Sequence, residues 1–290
     1  MEKSSGKLEA KLNEFSAKQI DKILENTFAI QLTEGCSTGC TDCGAGATKG
    51  VTDYIPFKLL EEIFSNHNLA SKKQGEVIPY FASDPFDYSF EGKNFLDVHK
   101  LYWEKKGKNL CVITSIPKGS EELVLNTLVR DSGKIGGRII DGVSLTKFNY
   151  LRIEKSFEEL PEVKKQKKNP FGYYVINFSS KHKIKSREKI DFKGFLEIVD
   201  SGNHPFFTEG IIRNYYSGNR ERYALGESNK KNLGSTIISP YQGVILTPSG
   251  ISNVELTKPT FENPIGQIIT PVDSKEFFVE SFYEQIRQGF

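Results

Sequence analysis

Three of the four cysteines in this 290-residue chain fall close together, as Cys36, Cys40 and Cys43. Random placement would give that Cys-x-x-x-Cys-x-x-Cys spacing about once in a thousand such chains, so it calls for a chemical cause. Thiolates gathered on one short loop bind metal, either zinc or an iron–sulfur cluster. Disulfides explain them poorly: the set is odd, the loop is tight, and nothing points to an oxidising compartment. A structural zinc site wants four ligands, typically two Cys-x-x-Cys pairs or a set completed by His. Here one such pair stands beside a single further cysteine, and the nearest histidine, His67, lies just past an expected helix. A [4Fe–4S] cluster on three cysteines would keep one iron open to a substrate or cofactor.

The loop must be positioned by what surrounds it. Residues 7–26 carry an amphipathic helical pattern, and Thr27–Thr33 reads as a strand that delivers the chain into the cysteines. A helix over 56–64 starts with proline in its first turn. A second strand, 76–81, ends in Ala82-Ser83-Asp84-Pro85-Phe86-Asp87-Tyr88. A helix near 94–105, a strand 109–115, a helix 121–130 and a strand 142–146 follow. This alternation at intervals of about 30 residues predicts βαβ units and a parallel sheet. Such sheets place ligands at the strands' carboxyl ends. The cysteine loop, the Ser-Asp-Pro segment, Thr114-Ser115 and Ser144 all fall at such ends, so polar and metal-binding groups converge on one rim. Beyond residue 160 the pattern loosens: a strand over 171–178, a short helix over 192–199, strands near 241–246, 254–256 and 265–270, and a closing amphipathic helix over 274–286.

These residues resemble the radical S-adenosylmethionine (SAM) superfamily over roughly positions 25–180. The triad follows the first strand, as in that family. The family's second strand ends in Gly-Gly-Glu-Pro, whose polar groups meet the amino group of SAM; here Ala82-Ser83-Asp84-Pro85 stands in its place. Thr114-Ser115 matches the family's third-strand motif, and Ser144 the serine that ends the fourth strand near the ribose or carboxylate. Arg152 matches an arginine that often meets the carboxylate. Before the third cysteine the family usually has an aromatic residue beside the adenine; here it is Asp42, whose backbone makes most of the contact. The resemblance implies an α/β fold, a partial (β/α)6 TIM-like barrel, over 27–200. It would be preceded by an N-terminal helix, 1–26, and followed by an irregular C-terminal extension, 201–290, with strands and a closing helix on the substrate side. It implies a [4Fe–4S] cluster on Cys36, Cys40 and Cys43, with SAM as the second cofactor and Asp42, Ser83, Asp84, Ser115, Ser144 and Arg152 around it. SAM cleavage would yield a 5′-deoxyadenosyl radical that takes hydrogen from a substrate, a peptide, peptide-derived product or small molecule. A flavodoxin- or ferredoxin-like partner would supply the electron. Subgroups with auxiliary clusters need further cysteines, and only Cys111 remains.

Asp87 and Tyr88 are substrate-side candidates on the same rim, with a surface turn the competing reading. Cys111 reads as a buried packing cysteine, with a hydrogen-donor role as the alternative; it lies about 13 Å below the Ser115 end of its strand. The rival to the enzyme is a non-catalytic iron–sulfur or zinc protein. Formal net charge is +2, which gives no case for nucleic-acid wrapping. Apolar stretches are too short to span a bilayer and the start is polar and lysine-rich, so the expectation is a cytoplasmic protein away from membranes.

Overall fold

A strand buried on both faces needs partners on both edges, and Thr27–Ile30 (β1), Thr-Phe-Ala-Ile, has them. On one edge Ile78 joins it in parallel: the Ile78 amide donates to the Phe28 carbonyl and the Ile30 amide to the Ile78 carbonyl, both at 2.9 Å. On the other edge Gly243–Thr247 (β11) runs parallel, with Ala29 opposite Ile245 and Ile30 opposite Leu246. The computed structural model describes residues 4–39, 47–70, 77–131, 139–145, 149, 152–153, 155–156, 173–179, 210–216, 219–225, 243–256 and 267–272. The fold is mixed α/β and divides into two units, 1–36 with 51–110 and 238–290, and 37–50 with 111–237.

In the first unit, β11 continues antiparallel into Gly250–Leu256 (β12) and then Gln267–Pro271 (β13), so the sheet order is β1-β11-β12-β13. Gly243 opens β11 at φ 131°, and a Cβ there would lie 2.7 Å from the Asn26 carbonyl oxygen, so only glycine admits β11 this close to β1. Phe28, Ala29, Ile245 and Val254 form a core cluster, with Ile78 and Phe81 packed against it. Lys7–Leu12 (α1) and Ala17–Glu25 (α2) replace the single expected helix over 7–26. The break has a local cause: Gln19 Oε1 accepts from both the Ser16 amide and hydroxyl at 2.9 Å, starting a new helix there. Phe57–Ser65 (α3), after Pro56, packs on Phe95–Lys106 (α4), which Asn94 caps by accepting from the Leu96 amide at 2.8 Å. Thr33–Glu34 (β2) pairs antiparallel with Asp53–Tyr54 (β3) and closes the neck of the loop that carries the cysteines. Ser89–Phe90 (β4) and Lys93–Asn94 (β5) form a small hairpin. Of the expected strand 76–81, only Ile78 pairs among the described residues.

The second unit holds a five-stranded sheet in the order β10-β9-β8-β7-β6. Val112–Thr114 (β6), Ile140–Leu145 (β7), Tyr173–Ser179 (β8) and Gly210–Tyr216 (β9) are parallel and adjacent in chain order, and Asn219–Leu225 (β10) returns antiparallel to β9. Glu121–Asp131 (α5) connects β6 towards β7 as the βαβ pattern requires. The expected core boundary at 200 falls between β8 and β9, which are paired. The expected helices over 192–199 and 274–286 lie outside the described residues. No helix among the described residues is long and apolar enough to cross a membrane.

Candidate functional site

The carboxyl end of β1 leads through Gln31 and the β2–β3 neck to Cys36. Gln31 is buried and its Oε1 accepts from the Ala82 amide at 2.8 Å, so the end of β1 is tied to the start of Ala82-Ser83-Asp84. Next to that tie, the Ser83 hydroxyl oxygen is shielded from solvent and has no hydrogen-bond partner. An unsatisfied buried hydroxyl costs about 1–3 kcal/mol, so an orphan here marks a place where a polar group belongs. Asp84 is 4% exposed and accepts from the Phe86 amide at 3.0 Å, capping the single 3₁₀ turn Pro85–Asp87. That turn-capping contact is present whatever else the carboxylate does.

Cys36 is half-buried at the mouth of the neck. Ser5 anchors the neck from outside, its amide donating to Asp53 Oδ1 at 2.9 Å and its hydroxyl bonding Oδ2. The β11–β12 turn anchors it from the C-terminal side, where the Ser249 hydroxyl donates to Glu34 Oε2 at 2.9 Å. Cys40, Asp42 and Cys43 lie outside the described residues, among which no three His, Cys, Asp or Glu come together as metal ligands.

In the second unit, the loop segment before Cys40 is held by Ser115. Thr38 Oγ1 and Ser115 Oγ are 2.5 Å apart. Gly39 follows in the left-handed region at φ 57°, and a Cβ there would press on the Lys49 side chain at 2.9 Å. The Ser115 carbonyl accepts from Asn149 Nδ2 at 2.5 Å, and Asn149 is itself buried. The turn after β6 is bent further by Ile116 at φ 54°, whose amide donates to Thr114 Oγ1 at 2.9 Å. Arg152 braces the same turn: its guanidinium bonds the Ile116 carbonyl at 2.6 Å and pairs with Glu121. So Ser115 and Arg152, both expected to face a cofactor, spend these contacts on the chain itself. Ser144 lies in β7 opposite Val175 of β8, one residue past the Val143 that pairs with Thr114.

Two expectations are corrected. Tyr88 does not face a rim: it is 1% exposed, its hydroxyl donates to the Ile55 carbonyl at 2.9 Å, and its ring meets Tyr54 edge-on at 6.1 Å. Burial, with Glu91 and Asp97 adding negative charge, pushes its phenol well above the ordinary range. Cys111 is exposed rather than packed. It precedes β6, where Val112 and Thr114 are buried and Ile113 is 37% exposed, so strand alternation puts Cys111 on the open face. Asp87 is half-buried in the 3₁₀ turn, its amide donating to the Asp84 carbonyl at 3.1 Å. Gln31, Thr38 and Asn149 carry much of this arrangement without any motif to announce them. A buried amide side chain just past a strand's carboxyl end is the only signal Gln31 offers.

The chain matches no family model, no curated protein and no solved structure.

Proposed function

We propose that this chain is a radical SAM enzyme, with a [4Fe–4S] cluster on Cys36, Cys40 and Cys43 and SAM bound beside Ser83 and Asp84. The observation that carries the reading is the Gln31–Ala82 tie. It brings the end of β1, which enters the cysteine loop, to a Ser-Asp-Pro segment whose serine hydroxyl has no partner. The donor chemistry fits: three thiols on one loop suit iron–sulfur ligation, and a buried hydroxyl and carboxylate at Ser83 and Asp84 suit an ammonium group. The finer fold reading, a partial (β/α)6 barrel, is supported by the parallel order. β1 is joined by the Ile78 segment, and β6, β7, β8 and β9 follow one another as neighbours.

Bound there, the cluster would supply the electron that cleaves SAM to a 5′-deoxyadenosyl radical, which takes hydrogen from the substrate. The protein's own residues do the positioning. Gln31 fixes the Ala82 backbone, Asp84 holds the 3₁₀ turn and would offer charge to the SAM ammonium, and Ser83 would gain the partner it lacks. A flavodoxin- or ferredoxin-like donor would provide the electron, and the substrate would be a peptide or small molecule.

Anaerobic reconstitution tests this directly. About four irons and four sulfides per chain are expected, lost on Cys36→Ala, Cys40→Ala or Cys43→Ala and retained on Cys111→Ala. With dithionite and SAM, 5′-deoxyadenosine should appear. Asp84→Asn separates the two roles of that residue: it keeps an oxygen for the Phe86 amide but removes the charge, so the fold should hold while SAM binding weakens by roughly 1.5–3 kcal/mol. Stoichiometric zinc without labile sulfide would establish the non-catalytic alternative instead.

A further inference from the structure

The neck of the cysteine loop carries a conflict that its own strands do not resolve. Glu34 of β2 stands directly opposite Asp53 of β3, so two carboxylates share one face of a ladder only two residue pairs long. Like charges in that position oppose pairing, and so short a two-stranded ribbon has little stability of its own. Among the described residues, the groups that donate to these carboxylates are amides and hydroxyls rather than cations, and all but one come from distant parts of the chain. Asp53 is buried and accepts from the Ser5 amide at 2.9 Å and from the Ser5 hydroxyl, with the Tyr54 amide adding a local bond at 2.8 Å. Glu34 accepts from the Ser249 hydroxyl at 2.9 Å. The Ser4 hydroxyl donates to the Tyr54 carbonyl at 2.9 Å, so residues 4 and 5 together span both positions of β3.

The two outside supports belong to one piece of structure. Gly6, at φ 65°, turns the chain from Ser5 into α1, where Leu8 and Leu12 are buried, and α1 packs against β12. Ser249 immediately precedes β12, and its hydroxyl lies 2.9 Å from that of Thr247, the last residue of β11. The segment before α1 and the turn before β12 therefore grip the neck as two arms of one bracket, all within the first unit. The grip passes directly to a thiol. Gly35, at φ 80°, is the single residue between Glu34 and Cys36, and its carbonyl accepts from the Thr33 hydroxyl at 3.3 Å. With so short and fastened a link, Cys36 follows the Glu34 end of the neck.

We propose that Ser5 and Ser249 are positioning residues for Cys36: through Asp53 and Glu34 they hold two like charges together and keep the mouth of the cysteine loop closed. That the loop so held carries a cluster rests on the proposed reaction; the bracket itself rests on these contacts.

The test uses the full chain without metal and reads hydrogen exchange of the Thr52 and Ile55 amides. These donate to the Glu34 and Leu32 carbonyls at 2.9 and 3.0 Å and so report opening of the neck. Alkylation of Cys36 as the sole thiol, in a chain carrying Cys40→Ala, Cys43→Ala and Cys111→Ala, is the second readout. Ser5→Ala loses a charge-assisted bond and should speed both at least about fivefold, and Ser249→Ala, at an exposed contact, about twofold. Ser5→Thr retains the hydroxyl and should keep the wild-type rates. The decisive variant is Ser5→Ala/Glu34→Gln. It removes one of the two opposed charges yet keeps an acceptor for Ser249, so neck exchange should return to within about twofold of wild type. Amides of α3 serve as the internal reference and should not change in any variant. Wild-type exchange in Ser5→Ala, no slowing on adding Glu34→Gln, faster exchange with unchanged Cys36 alkylation, or an equal rise across α3 would each overturn the proposal. No readout needs iron, so failure here leaves the cluster assignment standing, and a zinc-loaded protein leaves the bracket standing.

Discussion

Thr38 stands between two of the three cysteines, and its 2.5 Å contact with Ser115 makes it the most informative place to perturb the loop. Thr38→Val keeps the shape and removes the hydroxyl. A neutral hydrogen bond contributes a net 0.5–1.5 kcal/mol, approximately, and burial of Ser115, which is 9% exposed, moves the loss to the upper part of that range. If the loop must loosen before the proposed cluster gives up iron, roughly 1–1.5 kcal/mol corresponds to about 5- to 13-fold faster iron loss to a chelator. Ser115→Ala should do the same. Because both variants remove one shared bond, the pair together should lose iron no faster than either alone, with a coupling energy near 1 kcal/mol by order of magnitude. Thr38→Ser retains the hydroxyl and should release iron at nearly the wild-type rate. Strictly additive effects in the double variant, or a Thr38→Ser as leaky as Thr38→Val, would refute the idea that this contact holds the loop.

Tyr88 should impose an alkaline limit on stability. Its ordinary pKa of 10.0 applies to the unfolded chain, while burial raises it in the fold, so below pH 10 the two states carry the same proton. Above pH 10 only the unfolded chain ionises, and stability falls as pH rises. Tyr88→Phe should remove that fall in urea midpoints measured between about pH 8 and 11, at a fixed loss near 1 kcal/mol from the Ile55 hydrogen bond. Gly243→Ala should destabilise by about 1–3 kcal/mol through backbone strain alone, more with the 2.7 Å approach to Asn26, read as a lower melting temperature. An unchanged midpoint would mean that β11 does not lie this close to β1.

The parts of the fold that were legible in the sequence are those whose cause is local. Proline before Phe57, the Asn94 cap and the alternating helix–strand periods fix α3, α4 and α5 within a residue or two of the expected limits. The hairpin of β9 and β10 went unread although its signal is local too: two β-rich runs separated by Ser217-Gly218, a two-residue turn pair. Non-local pairing was invisible, because nothing in Gly243–Thr247 says that β1 lies on its other edge, across from its neighbour β12. The same limit governs the site. Cysteine spacing identifies the loop, but the partners that hold Ser115 and Arg152 depend on turns such as Ile116, a β-branched residue at positive φ that no propensity would place there.

The parallel seating of β11 on β1 also dictates an order of events during synthesis. Residues 27–30 find their second edge only at 244–246, more than two hundred positions later, so the first unit stays incomplete until the chain has been made past Thr247. Most of the second unit, 111–237, is contiguous and emerges before that moment, free to fold by neighbour-to-neighbour strand addition. Until then β1, the strand that enters the cysteine loop, presents one bare edge, a template for unwanted pairing. Premature termination between residues 225 and 243 would therefore leave a chain that has every cysteine and a five-stranded sheet, yet aggregates through the strand that leads into the cysteine loop.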